Sequence, residues 1–177
     1  MKKNRFYKTS PHGHVGTNVS FHSKLRDGYT TNIDNAQLFT REQAQSDVDC
    51  GRRRFEKTEE LFLSADDVDE LTVLKVDHQY ISQTYPENKD PNDEYVIYRK
   101  NCWDGNDLGF AYGASHNFDY SKARVFSESE LESIDCYDWI AVPKSHCDEF
   151  ARPTFQYSKI DRRAMIVCAG ITGISEK

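Results

Sequence analysis

Apolar and aromatic residues fall along this chain in short runs separated by polar, Gly-containing stretches. Arg5-Phe6-Tyr7-Lys8, Asn18-Val19-Ser20-Phe21-His22, Leu71-Thr72-Val73-Leu74-Lys75-Val76, Tyr95-Val96-Ile97-Tyr98-Arg99, Phe110-Ala111-Tyr112 and Trp139-Ile140-Ala141-Val142 read as strands. Alternation with period two is imperfect in all of them, so the strand ends are poorly fixed by pattern alone. Gly13 and Gly16 lie between the first two runs, and Gly105 and Gly109 between Tyr95–Arg99 and Phe110–Tyr112. Each placement predicts a hairpin, and Asp104-Gly105 is a common turn signal.

One pattern occurs twice, 87 residues apart. Ala36-Gln37-Leu38-Phe39-Thr40-Arg41-Glu42-Gln43-Ala44-Gln45 matches Ala123-Arg124-Val125-Phe126-Ser127-Glu128-Ser129-Glu130-Leu131-Glu132. Thr40 with Gln43, and Ser127 with Glu130, have the spacing of a capping box. There the hydroxyl accepts a free N–H of the first helical turn, and the Gln or Glu side chain accepts the N–H of the cap residue. Phe39 with Ala44, and Phe126 with Leu131, stand where a hydrophobic staple closes. Ser64 with Asp67 predicts a further helix start, and Gly51 a break in the first helix. The apolar run Ala164–Ala169 reads as a final strand. The predicted fold is α+β: two related hairpin–helix–strand units with antiparallel sheet and short capped helices. The units span residues 1–85, with a helical insertion, and 94–177, with a C-terminal strand; the polar, Pro-containing stretch 83–93 lies between them. Each half alone is small, which favours one pseudo-symmetric body.

Ten Tyr and ten Phe in 177 residues predict an aromatic core and exclude a disordered chain. There is no apolar run long enough for a transmembrane helix, and Met1-Lys2-Lys3 is not followed by the apolar segment of a signal peptide. A cytoplasmic location is the expectation, and five cysteines without a CxxC pair fit reduced thiols. The net charge of −6 is unevenly spread. Residues 1–26 carry bases and no acid, whereas 58–70 and 127–149 are acidic. Solvated helix faces account for such stretches in the simplest way. The sharper reading is an acidic surface for a basic partner, built from Glu59, Asp66, Asp67, Glu70, Glu128 and Glu132.

Candidate chemistry is sparse. His12, His14 and His22 form the densest histidine cluster, but no full ligand set for a metal follows them, so neither metal nor cofactor is expected and no catalytic residue is assigned. A small enzyme built on that cluster stays an alternative. Asp104, Asp107 and Asp119 near His116 have the residue types for acid–base work, although the text around Asp104 reads more simply as a turn. A second alternative is nucleic-acid binding through Lys2, Lys3, Arg5, Arg52, Arg53 and Arg54, with Phe6, Tyr7 and Phe55 for stacking.

The string Tyr95–Arg99, Trp103-Asp104-Gly105, Ala123-x-x-Phe126-Ser127-x-x-Glu130, Trp139-Ile140 resembles a small domain of accessory proteins of tailed bacteriophages. The resemblance covers about 50 residues of the second unit. It implies a class of small, soluble, dispensable phage proteins, some of which bind host machinery or blunt host defences. The expected function is accordingly non-enzymatic: binding a host or phage macromolecular complex, nucleic-acid-associated complexes included, and modulating or inhibiting it in host takeover or anti-defence. It carries no site residues, and the oligomeric state stays open.

Overall fold

The computed structural model describes residues 3–25, 28–55, 60–84, 93–134 and 137–174, without the side chains of 52–55. Lys2, Glu59, the side chains of Arg52, Arg53, Arg54 and Phe55, and residues 85–92 of the 83–93 stretch lie outside the described residues. The fold is α+β with antiparallel sheets, and the chain divides into two units. Unit 1 comprises Met1–Thr72 and Pro153–Lys177, and unit 2 comprises Val73–Arg152. This differs from the contiguous division at 85 and 94 read from the sequence.

In unit 1, β1 (Phe6–Val15), β2 (Asn18–His22), β3 (Tyr29–Thr30), β4 (Leu38–Phe39) and β5 (Phe62–Ser64) form one sheet of order β3-β2-β1-β4, with β5 also on β1. α1 (Arg41–Phe55) and α2 (Ala65–Glu70) lie before and after β5. In unit 2, β6 (Val73–Val76) precedes β7 (Tyr95–Trp103), β8 (Leu108–Tyr112), β9 (Ser115–Asn117), β10 (Val125–Phe126) and β11 (Trp139–Pro143). Their sheet has the order β10-β7-β8-β9, with β11 on β7. α3 (Glu128–Leu131) follows β10, and α4 (Lys144–Phe150) follows β11 and leads into β12 (Ala151–Thr154), which pairs with β6.

Local sequence explains the helix starts. The Thr40 N–H donates to Gln43 Oε1 at 2.8 Å and the Gln43 N–H to Thr40 Oγ1 at 3.3 Å. The Ser127 N–H donates to Glu130 Oε2 at 2.9 Å and the Glu130 N–H to Ser127 Oγ at 3.4 Å. Both boxes satisfy N–H groups that a helix start leaves open. Ser64 caps α2 by accepting from the Asp67 N–H. Gly51 departs from helical geometry and kinks α1. Phe126 and Leu131 are buried in the same cluster, closing the second staple. In the first, Ala44 is buried and Phe39 is only partly so, its ring 5.4 Å from that of Phe62.

The core of unit 1 is aromatic: Phe6, Phe21, Phe62 and Phe155 are fully buried. Burying each such side chain contributes about 1.5–3 kcal/mol. In unit 2 both faces of β7 are covered. Tyr95 and Ile97 face one cluster, with Phe126, Leu131 and Ala141; Val96 and Tyr98 face another, with Leu108, Phe110 and Ile140. A strand buried on both faces has no polar side to alternate with, which explains the imperfect period of Tyr95–Tyr98.

The segment after α2 supplies Val76 and Ile81 to a core of unit 2. The segment after α4 supplies Phe155, Met165, Ile166 and Ile171 to the core of unit 1. One element corrects the sequence reading: Ala164–Ala169 is no strand, because Arg163–Cys168 is a π-helical segment. The helical turn buries Met165, Ile166 and Ala169 together on one side, which a strand's alternation does not do.

Candidate functional site

The acidic residues proposed for partner binding divide into two groups. The first group lies on α2, whose first turn carries Asp66 and Asp67. The chain segment entering β1 runs alongside and brings the N-terminal bases with it. Arg5 reaches Asp66 Oδ1 at 3.1 Å and Asp69 Oδ2 at 3.2 Å, and Lys3 lies 3.5 Å from Asp66 and 3.6 Å from Asp67. The Tyr7 hydroxyl donates to Asp69 Oδ1 at 3.0 Å. Burial, with Asp69 beside it, pushes the Tyr7 phenol up to about 12. Two candidate surfaces of opposite sign therefore meet each other. These ion pairs are exposed and each contributes about 0–1 kcal/mol, yet together they lower the field of both groups. Glu70 at the end of α2 is exposed.

The second group lies in unit 2. The capping box positions Glu128 at the first residue of α3 and Glu132 just past its end, with Glu132 exposed and Glu128 half-buried. The Glu130 carboxylate is not part of this surface chemistry: it accepts the N–H and hydroxyl of Ser127 and pairs with Arg124 at 3.3 Å, which hold its pKa below the ordinary value. Tyr137, 84% exposed, and Asp138 follow on the way into β11. Charge separates by unit. Residues 73–152 hold 15 acids and 8 bases, a net −7, whereas the residues of unit 1 hold 14 acids and 15 bases, a net +1.

No family model matches this chain, and no curated protein or solved structure matches it either.

The three histidines are not one cluster. His12 and His22 both meet the ring of Tyr29, at centroid distances of 5.3 and 5.0 Å, while His14 stacks on Tyr157 at 4.5 Å. His22 Nε2 lies 3.6 Å from the buried carboxylate of Glu60, which is also 3.8 Å from the Lys8 ammonium; Lys8 in turn bonds Asp47 at 2.6 Å. Sequence reading missed this Lys8–Glu60 pairing, because Glu60 stood in an acidic run and Lys8 at the end of an apolar one. Among the described residues no group of three or more His, Cys, Asp or Glu side chains is placed to hold a metal ion.

Asp104 and Asp107 do not converge with His116 and Asp119. Asp104 bonds the fully buried ammonium of Lys75, and Asp107 lies 3.8 Å from it. Arg152 donates to Asp107 Oδ1 at 2.7 Å and lies 3.7 Å from Asp77. Asn106 joins both Asp77 and Asp107. Asp119 caps the turn Tyr120–Lys122, and His116 packs edge-on against Phe118. The acids here form a largely buried ionic lattice around Lys75 and Arg152.

Unit 1 also holds a cavity of about 490 Å³. Val19, Leu61 and Ile160 supply apolar lining, His14 and Tyr157 aromatic rings, Thr9 and Ser10 hydroxyls, and Asp161, Arg162 and Arg163 charge. None of these was a sequence candidate except His14. Aligning the two hairpins strand by strand would have exposed one signal, Thr9 at the place where the second unit has Tyr98.

Proposed function

We propose that the protein acts by binding, and that unit 2 presents an acidic surface to a basic macromolecular partner, in the manner of a phage-type accessory protein that modulates or inhibits a host complex. The observation that supports this reading is the segregation of charge, with a net −7 on unit 2 against +1 on unit 1. Charge of one sign over one surface steers encounter and selects partners of opposite sign. The nucleic-acid alternative loses support for a related reason. Lys3 and Arg5 are engaged by Asp66, Asp67 and Asp69, so a phosphate backbone has to displace carboxylates to reach them.

The test uses the affinity-tagged protein in bacterial lysate, with captured proteins quantified by mass spectrometry at low and raised salt. A variant with Glu128→Lys, Glu132→Lys and Asp138→Lys is expected to lose the salt-sensitive, basic proteins that the native chain retains. A duplex DNA probe is expected not to shift at physiological salt. Equal capture by the triple reversal, or a salt-dependent DNA shift abolished by Arg5→Glu, would overturn the reading. Reversals at Asp66 and Asp67 are poor probes, since they break internal pairs.

A further inference from the structure

The two hairpins share an unusual register. In unit 1 the pairing runs from Thr9↔Phe21 to His14↔Val19, a step of five residues on β1 against two on β2. In unit 2 it runs from Tyr98↔Phe110 to Trp103↔Leu108, the same five against two. Thr9 thus stands where unit 2 has Tyr98, and His14 where it has Trp103. A second correspondence follows. Tyr157 stacks on His14 with rings inclined by 22°, and His78 stacks on Trp103 with rings inclined by 7°. Four residues beyond these stacking residues stand Asp161 and Ser82. In unit 2 the Tyr98 hydroxyl donates to the Ser82 carbonyl at 2.5 Å, so the phenol ring fills the space between β7 and Ser82. In unit 1, Thr9 and Asp161 both line the cavity instead. The cavity thus borders the register position that carries a phenol ring in the other unit.

We infer that unit 1 keeps this space open for a small ligand that joins a planar ring to an anionic group, of the class of nucleoside monophosphates. The volume of about 490 Å³ lies within the roughly 300–1,000 Å³ of small-molecule sites. Val19 and Leu61 are buried and give the site an apolar floor, and the paired rings of His14 and Tyr157 give it a flat wall. Arg162 and Arg163 outnumber Asp161, and Arg163 makes no ion pair among the described residues. A guanidinium binds phosphate through two parallel N–H···O bonds. Asp161 can accept from a ring amino group or a sugar hydroxyl, which favours a nucleotide over a bare anion. The Ser10 oxygen already accepts the N–H of His12, which leaves its hydroxyl proton to be given.

The test is a titration of the full chain, followed by NMR, with the four common nucleoside 5′-monophosphates, the matching nucleosides and inorganic phosphate. Saturable shifts of His14 and Tyr157 are expected with at least one nucleotide, and weaker binding of its nucleoside and of phosphate. Arg163→Gln, at an exposed position, should weaken nucleotide binding by about tenfold, the worth of one charge-assisted hydrogen bond. Thr9→Tyr should abolish it by rebuilding the filled state of unit 2; if that variant does not fold, Arg163→Gln decides. Absence of saturable shifts with every nucleotide at millimolar concentration overturns the inference. So does affinity unchanged in Arg163→Gln, or phosphate binding as tightly as the nucleotides. None of these outcomes bears on the acidic surface of unit 2, so the two readings stand or fall separately.

Discussion

Replacing Lys75 by Met tests whether the ionic lattice of unit 2 behaves as buried charge. Lys75 has no exposed side-chain surface, Asp104 is 7% exposed and Asp107 is fully buried. The substitution keeps the side-chain length and removes the ammonium. Arg152 stays against Asp77 and Asp107, and Asp104 loses the ammonium it bonds. Removing one partner of a buried ion pair costs about 3–5 kcal/mol, because the remaining charge stays desolvated. For a chain of this size each kcal/mol moves the midpoint by about 2–4 °C, so the expected loss is about 6–20 °C. Both tryptophans, Trp103 and Trp139, lie in unit 2, so intrinsic fluorescence during thermal and urea unfolding reports the unit that is perturbed. The control is Lys144→Met, which breaks a pair with Asp148 whose side chains are 32% and 46% exposed and should cost less than about 1 kcal/mol. Lys75→Met/Asp104→Asn should recover part of the loss, since Asn keeps the oxygen that accepts the Asp107 N–H. A Lys75→Met variant within about 1 kcal/mol of the native protein, or a double variant less stable than the single one, would refute the reasoning.

Two other predictions concern local chemistry. Thr40→Ala and Ser127→Ala should each cost about 0.5–2 kcal/mol by urea unfolding, and a cost near zero at either would mean that the capping box is not formed there. Burial and the neighbouring Asp148 push the Cys147 thiol from 9.0 up to about 12, and Tyr7 rises from 10.0 to about 12. Both folded pKa values are raised, so the stability they contribute is fully present below about pH 9 and is lost as the pH climbs to about 12. Urea midpoints measured across that range should fall. In the native protein Cys147 should resist a thiol reagent that labels the exposed Cys50 and Cys168; peptide mapping that finds Cys147 labelled as fast as Cys168 would contradict its burial.

Much of the local structure was legible because its code is local. A capping box needs only four consecutive residues, and Thr40–Gln43 and Ser127–Glu130 fold as their spacing dictates. The hairpins likewise follow from apolar runs on either side of Gly-containing turns. What the sequence hid is non-local. Arg5 meets Asp66 across 61 positions, so a basic segment and an acidic one read as two separate surfaces until the fold set them together. Lys75 sat inside an apolar run that reads as a strand, and nothing local marks a lysine as fully buried with two aspartates. Ala164–Ala169 was misread because six mostly apolar residues suit a buried strand and a buried helical turn equally well. The cavity of unit 1 was hidden for another reason: it depends on what Thr9 lacks compared with Tyr98, and the pairing of those positions needs the strand register.

The way the chain completes its two cores has a consequence during synthesis. Unit 2 is a contiguous stretch, Val73–Arg152, whereas unit 1 depends on Pro153–Lys177. Emerging from the ribosome, the strands β1, β2, β4 and β5 lack Phe155, Met165, Ile166 and Ile171, which belong to their core. Domains fold as units once their residues are available. The part made first therefore cannot complete its core until residues synthesised after unit 2 are available. Through that interval Phe6, Phe21 and Phe62 stand in an open core, the stage at which the nascent chain is most exposed to chaperones, proteases and its own neighbours.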